Sequence, residues 1–186
     1  LDEKTLHKNI FKIKPAHVLL GKNSKILKNY KYWNQNFKLK SYKNEKNYNN
    51  DLKFLIKDSI KLRKRSDVKL SSYLSGGIDS TLVSSLLSNK NEKLNVFHGY
   101  FDEGSSFSEL NYATIAAKKL NLKLNKIKIT NKDFINNIEK IIYYLDEPCA
   151  GPGVFPQYIV SKFAKKNNFK VIFGGQGGDE IFGGYA

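Results

Sequence analysis

Residues 70–80 read LSSYLSGGIDS, a short apolar run that leads through two glycines into a helix-forming stretch. Gly76 and Gly77 allow the backbone to turn sharply and to approach a ligand without a Cβ in the way. The helix that we place from about Ser80 begins with N–H groups that have no helical partner, and these attract anions. The stretch therefore predicts a strand, a turn and a helix, with an anion site between them.

The side chains of this turn suit a phosphate group. Ser75 and Ser80 offer hydroxyls. Asp79 would repel phosphate unless Mg²⁺ lies between them, because this ion takes carboxylate and phosphate oxygens together. The Gly-Lys-Ser/Thr signature of the common phosphate loop does not occur here. A plain strand-to-helix turn with serine and aspartate caps is the simpler alternative.

The same alternation continues along the chain. Apolar runs and helical stripes predict strands at 70–74, 94–101, 124–129 and 169–173, and helices at 51–65, 80–89, 108–120, 132–145 and 156–167. Strands that alternate with helices favour right-handed crossovers and hence an α/β fold, a parallel sheet flanked by helices. Ligands of such sheets bind beyond the carboxyl ends of the strands.

A second glycine-rich segment follows the last predicted strand. Residues 174–185 read GGQGGDEIFGGY, in which Asp179 supplies another carboxylate just beyond a strand end. If Asp79 and Asp179 face each other, they form a Mg²⁺ site above the phosphates. A flexible loop is the alternative, but the large apolar residues between 181 and 185 favour a packed one.

Charge and composition limit the classes of function. The 186 residues carry a net charge of +15, one Cys and no Met, so we expect a piece of a longer protein without a disulfide framework. Residues 1–66 hold 18 basic and five acidic residues, whereas 67–186 hold 14 and 12. Nearly all basic residues are Lys, which favours biased composition over a nucleic-acid surface, and no apolar run reaches the length of a membrane span.

The first fifty residues look different from the remainder. Residues 10–20, IFKIKPAHVLL, predict two short strands around a turn at Pro15–Ala16. Residues 21–47 show weak periodicity. We therefore divide the chain into a β segment at 1–20, a linker at 21–50 and the α/β part at 51–186.

Taken together, SGGIDS and GGQGGDEIFGGY resemble the synthetase domain of glutamine-dependent asparagine synthetases, which are PP-loop ATP pyrophosphatases. NIFKIKPAH at 9–17 resembles the last strands of that family's N-terminal glutaminase domain. Further matches are Tyr32-Trp33 in the linker and LDEP at 145–148. The resemblance implies that 1–20 is a remnant of the glutaminase domain and that 51–186 is the first part of a truncated synthetase domain, which alone turns over nothing.

The resemblance also implies a two-step reaction. ATP adenylates the side-chain carboxylate of aspartate and releases pyrophosphate, and ammonia from glutamine then displaces AMP. It implies ATP and Mg²⁺ as cofactors, a cytoplasmic location, and a homodimer in the full-length form. It places pyrophosphate on Ser75, Gly76, Gly77, Asp79 and Ser80, Mg²⁺ on Asp79 and Asp179, and the nucleotide pocket beside Leu74, Gly99, Gly174 and Gly175.

One position departs from the family pattern. Many members carry Glu where this chain has Gln176, and an amide cannot accept a proton from the attacking ammonia. Gln176 would then only orient the intermediate. Three alternatives stay open: a related amidotransferase with another acceptor, such as a β-lactam synthetase-like or sugar-acid enzyme, an RNA-modifying PP-loop enzyme, and a catalytically degenerate domain.

Other polar residues near strand ends are weighed and set aside. His98 ends a predicted strand, where a lone His is more often structural than catalytic. Asp102 and Glu103 could approach a ribose or simply be solvated. Cys149 lies far from the N-terminus, which excludes the role of a glutaminase nucleophile.

Overall fold

The computed structural model describes residues 3–36, 44–89, 92–102, 104, 108–147 and 151–184. It contains two compact units, Leu1–Glu45 and Lys46–Ala186. The first unit holds an antiparallel hairpin of β1 (His17–Lys22) and β2 (Lys25–Lys31). None of the helices formed by the described residues combines the length and the apolar character needed to span a bilayer.

The hairpin corrects the prediction for the first segment. Its turn lies at Asn23 and Ser24, both with positive φ (51° and 59°), which matches the twist of the two strands. The predicted turn at Pro15–Ala16 and the strand after it are confirmed, since the His17 N–H donates to the Lys14 oxygen and β1 begins at His17. The predicted strand before the turn is wrong, because this stretch contributes only an isolated bridge of Phe11 to Lys4. Strand β2 also falls within the predicted linker, and the assignment of 1–20 to a domain remnant stays a prediction.

The second unit is an α/β layer structure with a parallel sheet, as predicted. Its four strands lie in the order β5-β4-β3-β6. The chain moves outward from β3 to β5 and then returns to the other side of β3 to form β6. The elements are α1 (Glu45–Arg63), β3 (Leu70–Tyr73), α2 (Ile78–Leu87), β4 (Asn95–Tyr100), α3 (Leu110–Lys119), β5 (Lys123–Lys128), α4 (Asn131–Leu145), α5 (Val154–Lys166), β6 (Val171–Phe173) and α6 (Gly178–Phe182).

Helices cover both faces of the sheet, so each face has its own core. Phe97 of β4 packs towards α5, in a cluster with Ile159 and Val160. Its neighbour Val96 points to the opposite face, towards Ala113 and other residues of α3. Both strand residues are fully buried.

Buried serines bring α2 close to the central strand. The Ser84 hydroxyl donates to Ser72 Oγ at 3.0 Å, and the Ser72 hydroxyl lies 3.2 Å from the Phe173 carbonyl oxygen on β6. All three groups are small or belong to backbone, so helix and strands approach closely. This contact fixes the start of α2, and therefore the loop before it, over the carboxyl ends of β3 and β6.

Several helix boundaries differ from the predictions, most of all that of α1, which begins at Glu45, six residues before its predicted start at 51. Helix α2 begins at Ile78, two residues before the predicted start, because Gly77 in extended conformation serves as its N-cap. Helix α6 is absent from the predictions, which treated its glycine-rich sequence as a loop. Gly177 and Gly183, with φ of 94° and 72°, bound this five-residue helix at its two ends.

Candidate phosphate and nucleotide site

The loop from Ser75 to Ser80 connects β3 to α2 and lies against the beginning of α3. Gly76 has a φ of 93°, and a Cβ there would lie 2.5 Å from the backbone carbon of Tyr112 and 2.6 Å from the Ala113 nitrogen. Only glycine satisfies both the left-handed conformation and the contact. The sequence predicts a glycine here for a sharp turn and for close approach to a ligand. The structure adds that the absence of a Cβ lets the loop pack directly on α3.

Hydrogen bonds between its own serines close the loop. The Ser75 and Ser80 hydroxyl oxygens lie 2.8 Å apart, and the Ser75 N–H donates to Ser80 Oγ at 3.1 Å. The Gly77 N–H donates to Ser75 Oγ at 3.1 Å. The first backbone bond of α2 runs from Thr81 N to the Gly77 oxygen, so the preceding N–H groups at the helix start are open to an anion.

The two glycine-rich segments meet because β3 and β6 are neighbours. A Cβ on Gly175 would lie 2.8 Å from the Asp79 Cβ and 2.9 Å from the Ser80 nitrogen. A Cβ on Gly178 would lie 2.5 Å from the Asp79 Cγ and 2.6 Å from its Oδ1. The backbone of the second segment therefore packs directly against Asp79 of the first.

Asp179 follows Gly178 immediately and begins α6. Its backbone oxygen accepts bonds from the N–H groups of Gly183 (2.9 Å) and Gly184 (3.1 Å), which fold the segment back over it. Among the described residues, no group of three or more His, Cys, Asp or Glu side chains forms a metal cluster. The Asp179 carboxylate lies against Gly184, so a Mg²⁺ site shared by Asp79 and Asp179 stays a prediction. Mg²⁺ binds through one or two carboxylates plus phosphates, so Asp79 alone could also hold it.

A cavity of about 360 Å³ opens beside the loop at the carboxyl ends of β3 and β4. It brings together Leu74, Ser75, Gly99 and Gln176, which the sequence placed in the site. Gly99 is also a packing position, since a Cβ there would lie 2.8 Å from both Ile129 Cδ1 and Val160 Cγ2. Gly174 and Gly175 follow β6 at the rim, and Gly174 lies against the Gln176 amide.

Several lining residues were missed or set aside by sequence reasoning. They are His98 from β4, Glu109 at the start of α3, and Gly153, Pro156 and Gln157 around the start of α5. Glu109 and Gln157 lie in helical stretches that look ordinary in sequence. Their place at the carboxyl end of the sheet follows only from the strand order.

His98 is 5% exposed, and its Nδ1 lies 2.7 Å from the Leu74 carbonyl oxygen. Its Nε2 is buried without a hydrogen-bond partner among the described residues. Burial lowers the pKa of His98, although the bond to Leu74 and the nearby Glu109 carboxylate oppose the change, and Lys126 adds to it. The imidazole is therefore neutral near pH 7.

Asp102 does not line the cavity. Its Oδ2 lies 2.5 Å from Lys128 Nζ at the end of β5, and this contact raises the pKa of Lys128. The pair is exposed, so it contributes little to stability. Glu103 and Cys149 lie outside the described residues.

A larger cavity of about 550 Å³ lies at the opposite, amino ends of the strands, where Lys69, Lys123 and Lys170 line it. Parallel sheets bind ligands at the carboxyl ends, because the loops before the helices supply free N–H groups there. Both glycine-rich segments also lie at that end. The 360 Å³ cavity is therefore the candidate site.

Known sequences and structures resemble the chain as follows. The family described as Asparagine synthase matches residues 51–186. An enzyme named asparagine synthetase [glutamine-hydrolyzing] 1 from Bacillus subtilis is 38% identical over 130 residues, which is 70% of this chain and 20% of that protein. A solved NH3-dependent NAD synthetase from Campylobacter jejuni superposes with a TM-score of 0.47 at 20% identity, over 74% of this chain and 60% of that one.

A second relative extends the similarity to almost the whole chain. A protein named putative asparagine synthetase [glutamine-hydrolyzing] 2 from Methanocaldococcus jannaschii is 31% identical over 187 residues, 97% of this chain and 35% of that protein. The chain spans about a fifth to a third of the length of these curated relatives. The matched region contains both glycine-rich segments and the sheet that joins them, and on this match the chain belongs to the asparagine synthase family.

Proposed function

We propose that residues 51–186 form the ATP-binding part of a ligase that adenylates the side-chain carboxylate of aspartate and amidates it. The contact of Gly175 and Gly178 with Asp79 is the observation that carries this proposal. It joins two segments, about 100 residues apart, in one site at the point where the strand order reverses. Family membership supports the carboxylate-amidating class, and the names of the relatives support aspartate as acceptor.

The loop from Ser75 to Ser80 would hold the β- and γ-phosphates that leave as pyrophosphate. The loop would contribute donors that are already in place: the N–H groups at the start of α2, and the hydroxyls of Ser75 and Ser80, whose oxygens lie 2.8 Å apart. Donors that are fixed before the reaction stabilise developing charge without further reorganisation. Gly76 and Gly77 keep the phosphates within reach of these donors.

Asp79 and Asp179 are the residues that would hold Mg²⁺, which offsets the charge on the leaving pyrophosphate when bound. The 360 Å³ cavity would take the nucleoside, against the backbone of Leu74 and Gly99. In the proposed reaction, the aspartate carboxylate attacks the α-phosphate and pyrophosphate departs. The ammonia nitrogen then bonds to the acyl carbon, loses a proton, and AMP departs.

Gln176 would orient the acyl adenylate rather than accept the proton that the ammonia nitrogen loses. It lines the cavity, and an amide donates and accepts hydrogen bonds but is not a base near pH 7. The relatives are named as glutamine-hydrolysing enzymes, and we propose that the ammonia for this chain also comes from glutamine.

Oxygen-isotope transfer tests the proposal directly. The intact protein is incubated with Mg·ATP and aspartate labelled with oxygen-18 in its side-chain carboxylate, and AMP is analysed by mass spectrometry. One labelled oxygen in AMP is the expected result, together with aspartate-dependent pyrophosphate release. Asp79→Asn should abolish both, whereas Gly151→Ala, where a Cβ meets nothing within 4 Å, should retain both.

Other outcomes separate the alternatives. Release of ADP and phosphate instead of AMP would refute adenylation. Labelled AMP with another acid but not with aspartate would point to a different acceptor. A relative named amidase chry2 from Gibberella zeae, 23% identical over 202 residues and so over 100% of this chain, favours including acids other than aspartate in that screen.

A further inference from the structure

Leu74 is the last residue before the phosphate loop, and β4 holds both of its backbone polar groups. Its N–H donates to the Phe97 oxygen at 3.0 Å. Its carbonyl oxygen accepts from His98 Nδ1 at 2.7 Å. The second bond comes from a side chain, so the position of the loop depends on the chemical state of one imidazole.

The hydrogen bond determines which tautomer His98 adopts. A carbonyl oxygen can only accept, so Nδ1 must carry the proton. In the neutral ring Nε2 is then an acceptor, and it is buried without a donor among the described residues. An unsatisfied buried group of this kind destabilises the folded protein. A residue chosen only to fill the core would avoid that cost.

Protonation of His98 would destabilise the folded protein further. The imidazolium carries a second N–H, at Nε2, which would be buried without an acceptor among the described residues. It would also bring a positive charge into a buried position, since His98 is only 5% exposed. Two charged groups act on the ring: Glu109 at the start of α3 favours the charged form, and Lys126 on β5 opposes it. Burial is the largest of these effects, so the pKa of His98 is lowered and the neutral ring is favoured near pH 7.

We propose that His98 is a positioning residue of the nucleotide site, which in its neutral Nδ1–H form fixes Leu74 and thereby the start of the Ser75–Ser80 loop. This inference rests on the proposed binding of ATP. His98 acts through Leu74 and need not touch the nucleotide. Loss of the bond to the Leu74 oxygen would let the start of the loop move, so ATP affinity depends on this bond as well as on the contacts within the loop.

Two substitutions at His98 separate this role from simple packing. His98→Asn places an amide N–H near the position of Nδ1 and can restore the bond to Leu74. His98→Leu fills similar space without a donor. Asn137→Ala is the matched control for lost stability, because Asn137 of α4 is also buried (6% exposed) and accepts a bond from Lys162 Nζ of α5 at 3.0 Å, a contact between two helices outside the loop.

Mg·ATP is titrated into each variant of the intact protein by calorimetry, well below the unfolding temperature. We expect His98→Leu to weaken binding at least tenfold, equivalent to about 1.4 kcal/mol. His98→Asn should remain within about threefold of wild type and Asn137→Ala should bind as wild type, even where its unfolding temperature is lower.

Nitrogen NMR and pH add readouts that a packing role would not change. The ring of His98 should show a protonated Nδ1 and an unprotonated Nε2 near pH 7. Wild-type ATP affinity should fall as His98 protonates at low pH, and this component should be missing in His98→Asn. A protonated Nε2 in the neutral ring, wild-type affinity in His98→Leu, or equal losses in His98→Leu and Asn137→Ala would each overturn the proposal.

The two proposals fail in different ways. If the wild-type protein does not bind Mg·ATP, the proposed function fails and this inference fails with it. If the wild-type protein binds Mg·ATP and His98→Leu binds equally well, only the positioning role is refuted.

Discussion

Gly178→Ala should weaken Mg·ATP binding through a single contact. A Cβ at this position would lie 2.5 Å from Asp79 Cγ, 2.6 Å from Oδ1 and 2.9 Å from Oδ2. Ordinary contacts begin near 3.4 Å, so the carboxylate or α6 must retreat by about 1 Å. A displacement of this size at a reacting or binding group can cost on the order of 100-fold. We expect affinity to fall by about 10- to 100-fold.

The backbone conformation at this position is compatible with alanine. Gly178 is the first residue of α6, and its φ is not in the left-handed region. Alanine is favoured over glycine in a helix by up to about 1 kcal/mol. Any loss of affinity therefore comes from the displaced carboxylate rather than from a strained chain. Gly151→Ala, which meets nothing within 4 Å, controls for the added methyl group.

A double-mutant cycle with Asp79→Ala tests the contact without any ligand. Removing the carboxylate leaves the new methyl group of Gly178→Ala room to fit. Overpacking typically costs about 1–3 kcal/mol, so we expect a coupling of about that size in the free energy of unfolding, measured in urea. Equal destabilisation by Gly178→Ala in both backgrounds, or unchanged Mg·ATP affinity in the single variant, would refute the reasoning.

Three further predictions concern the loop, a helix cap and pH. Gly76→Ala should destabilise the protein by about 2–5 kcal/mol in urea unfolding, from left-handed strain and the clash with the Tyr112 backbone; an effect below about 1 kcal/mol would contradict this. Thr130→Ala should cost about 1 kcal/mol and return the pKa of Asp133, lowered chiefly by the Thr130 hydroxyl, towards its usual value in an NMR titration. The stability that Asp133 contributes should be present above its unfolded pKa and lost as the pH falls through its folded pKa. Because the pKa of His98 is lowered in the folded state, the unfolded chain binds the proton first as the pH falls. The free energy of unfolding should therefore decrease below about pH 6.5. The same dependence of this free energy on pH in His98→Asn would contradict the prediction.

The parallel sheet could be predicted because its strands are short apolar runs between helical stripes. Strands β3, β4 and β5 begin and end within one or two residues of the predicted positions. Their order could not be predicted, since it depends on pairing between residues far apart in sequence. The meeting of Asp79 with Gly178 requires β6 to pair with β3 rather than to extend the sheet beyond β5.

Strand β2 and helix α6 were missed for different physical reasons. Strand β2 is exposed along its whole length and rich in Lys and Asn, so it shows no alternation of buried and solvent-facing residues. Helix α6 contains Gly178 and lies between two left-handed glycines, a composition that predicts a loop. Its bonds to the Asp179 oxygen and its contact with Asp79 hold it in place, and neither is visible in sequence.

The structure also changes how the glycines of the site are understood. Flexible glycines would leave their Cβ positions open, yet a Cβ added at Gly76, Gly175 or Gly178 would lie only 2.5–2.9 Å from neighbouring protein atoms. These glycines therefore serve close packing, and the loop donors are fixed before a ligand arrives.

In the proposed site, the phosphates would be recognised mostly by backbone groups, because the neighbouring nucleoside cavity, as far as the structure describes its lining, supplies no positive charge. Of the described residues that line the 360 Å³ cavity, Glu109 alone has a formal charge while His98 is neutral, and that charge is negative. Attraction of a polyanion then falls to the N–H groups of the loop, the serine hydroxyls and the Mg²⁺ that Asp79 would hold. Substitutions of the packed glycines should consequently affect the phosphates, whereas substitutions at Gln157 and Gln176, which offer neutral amides, should affect the choice of the acid.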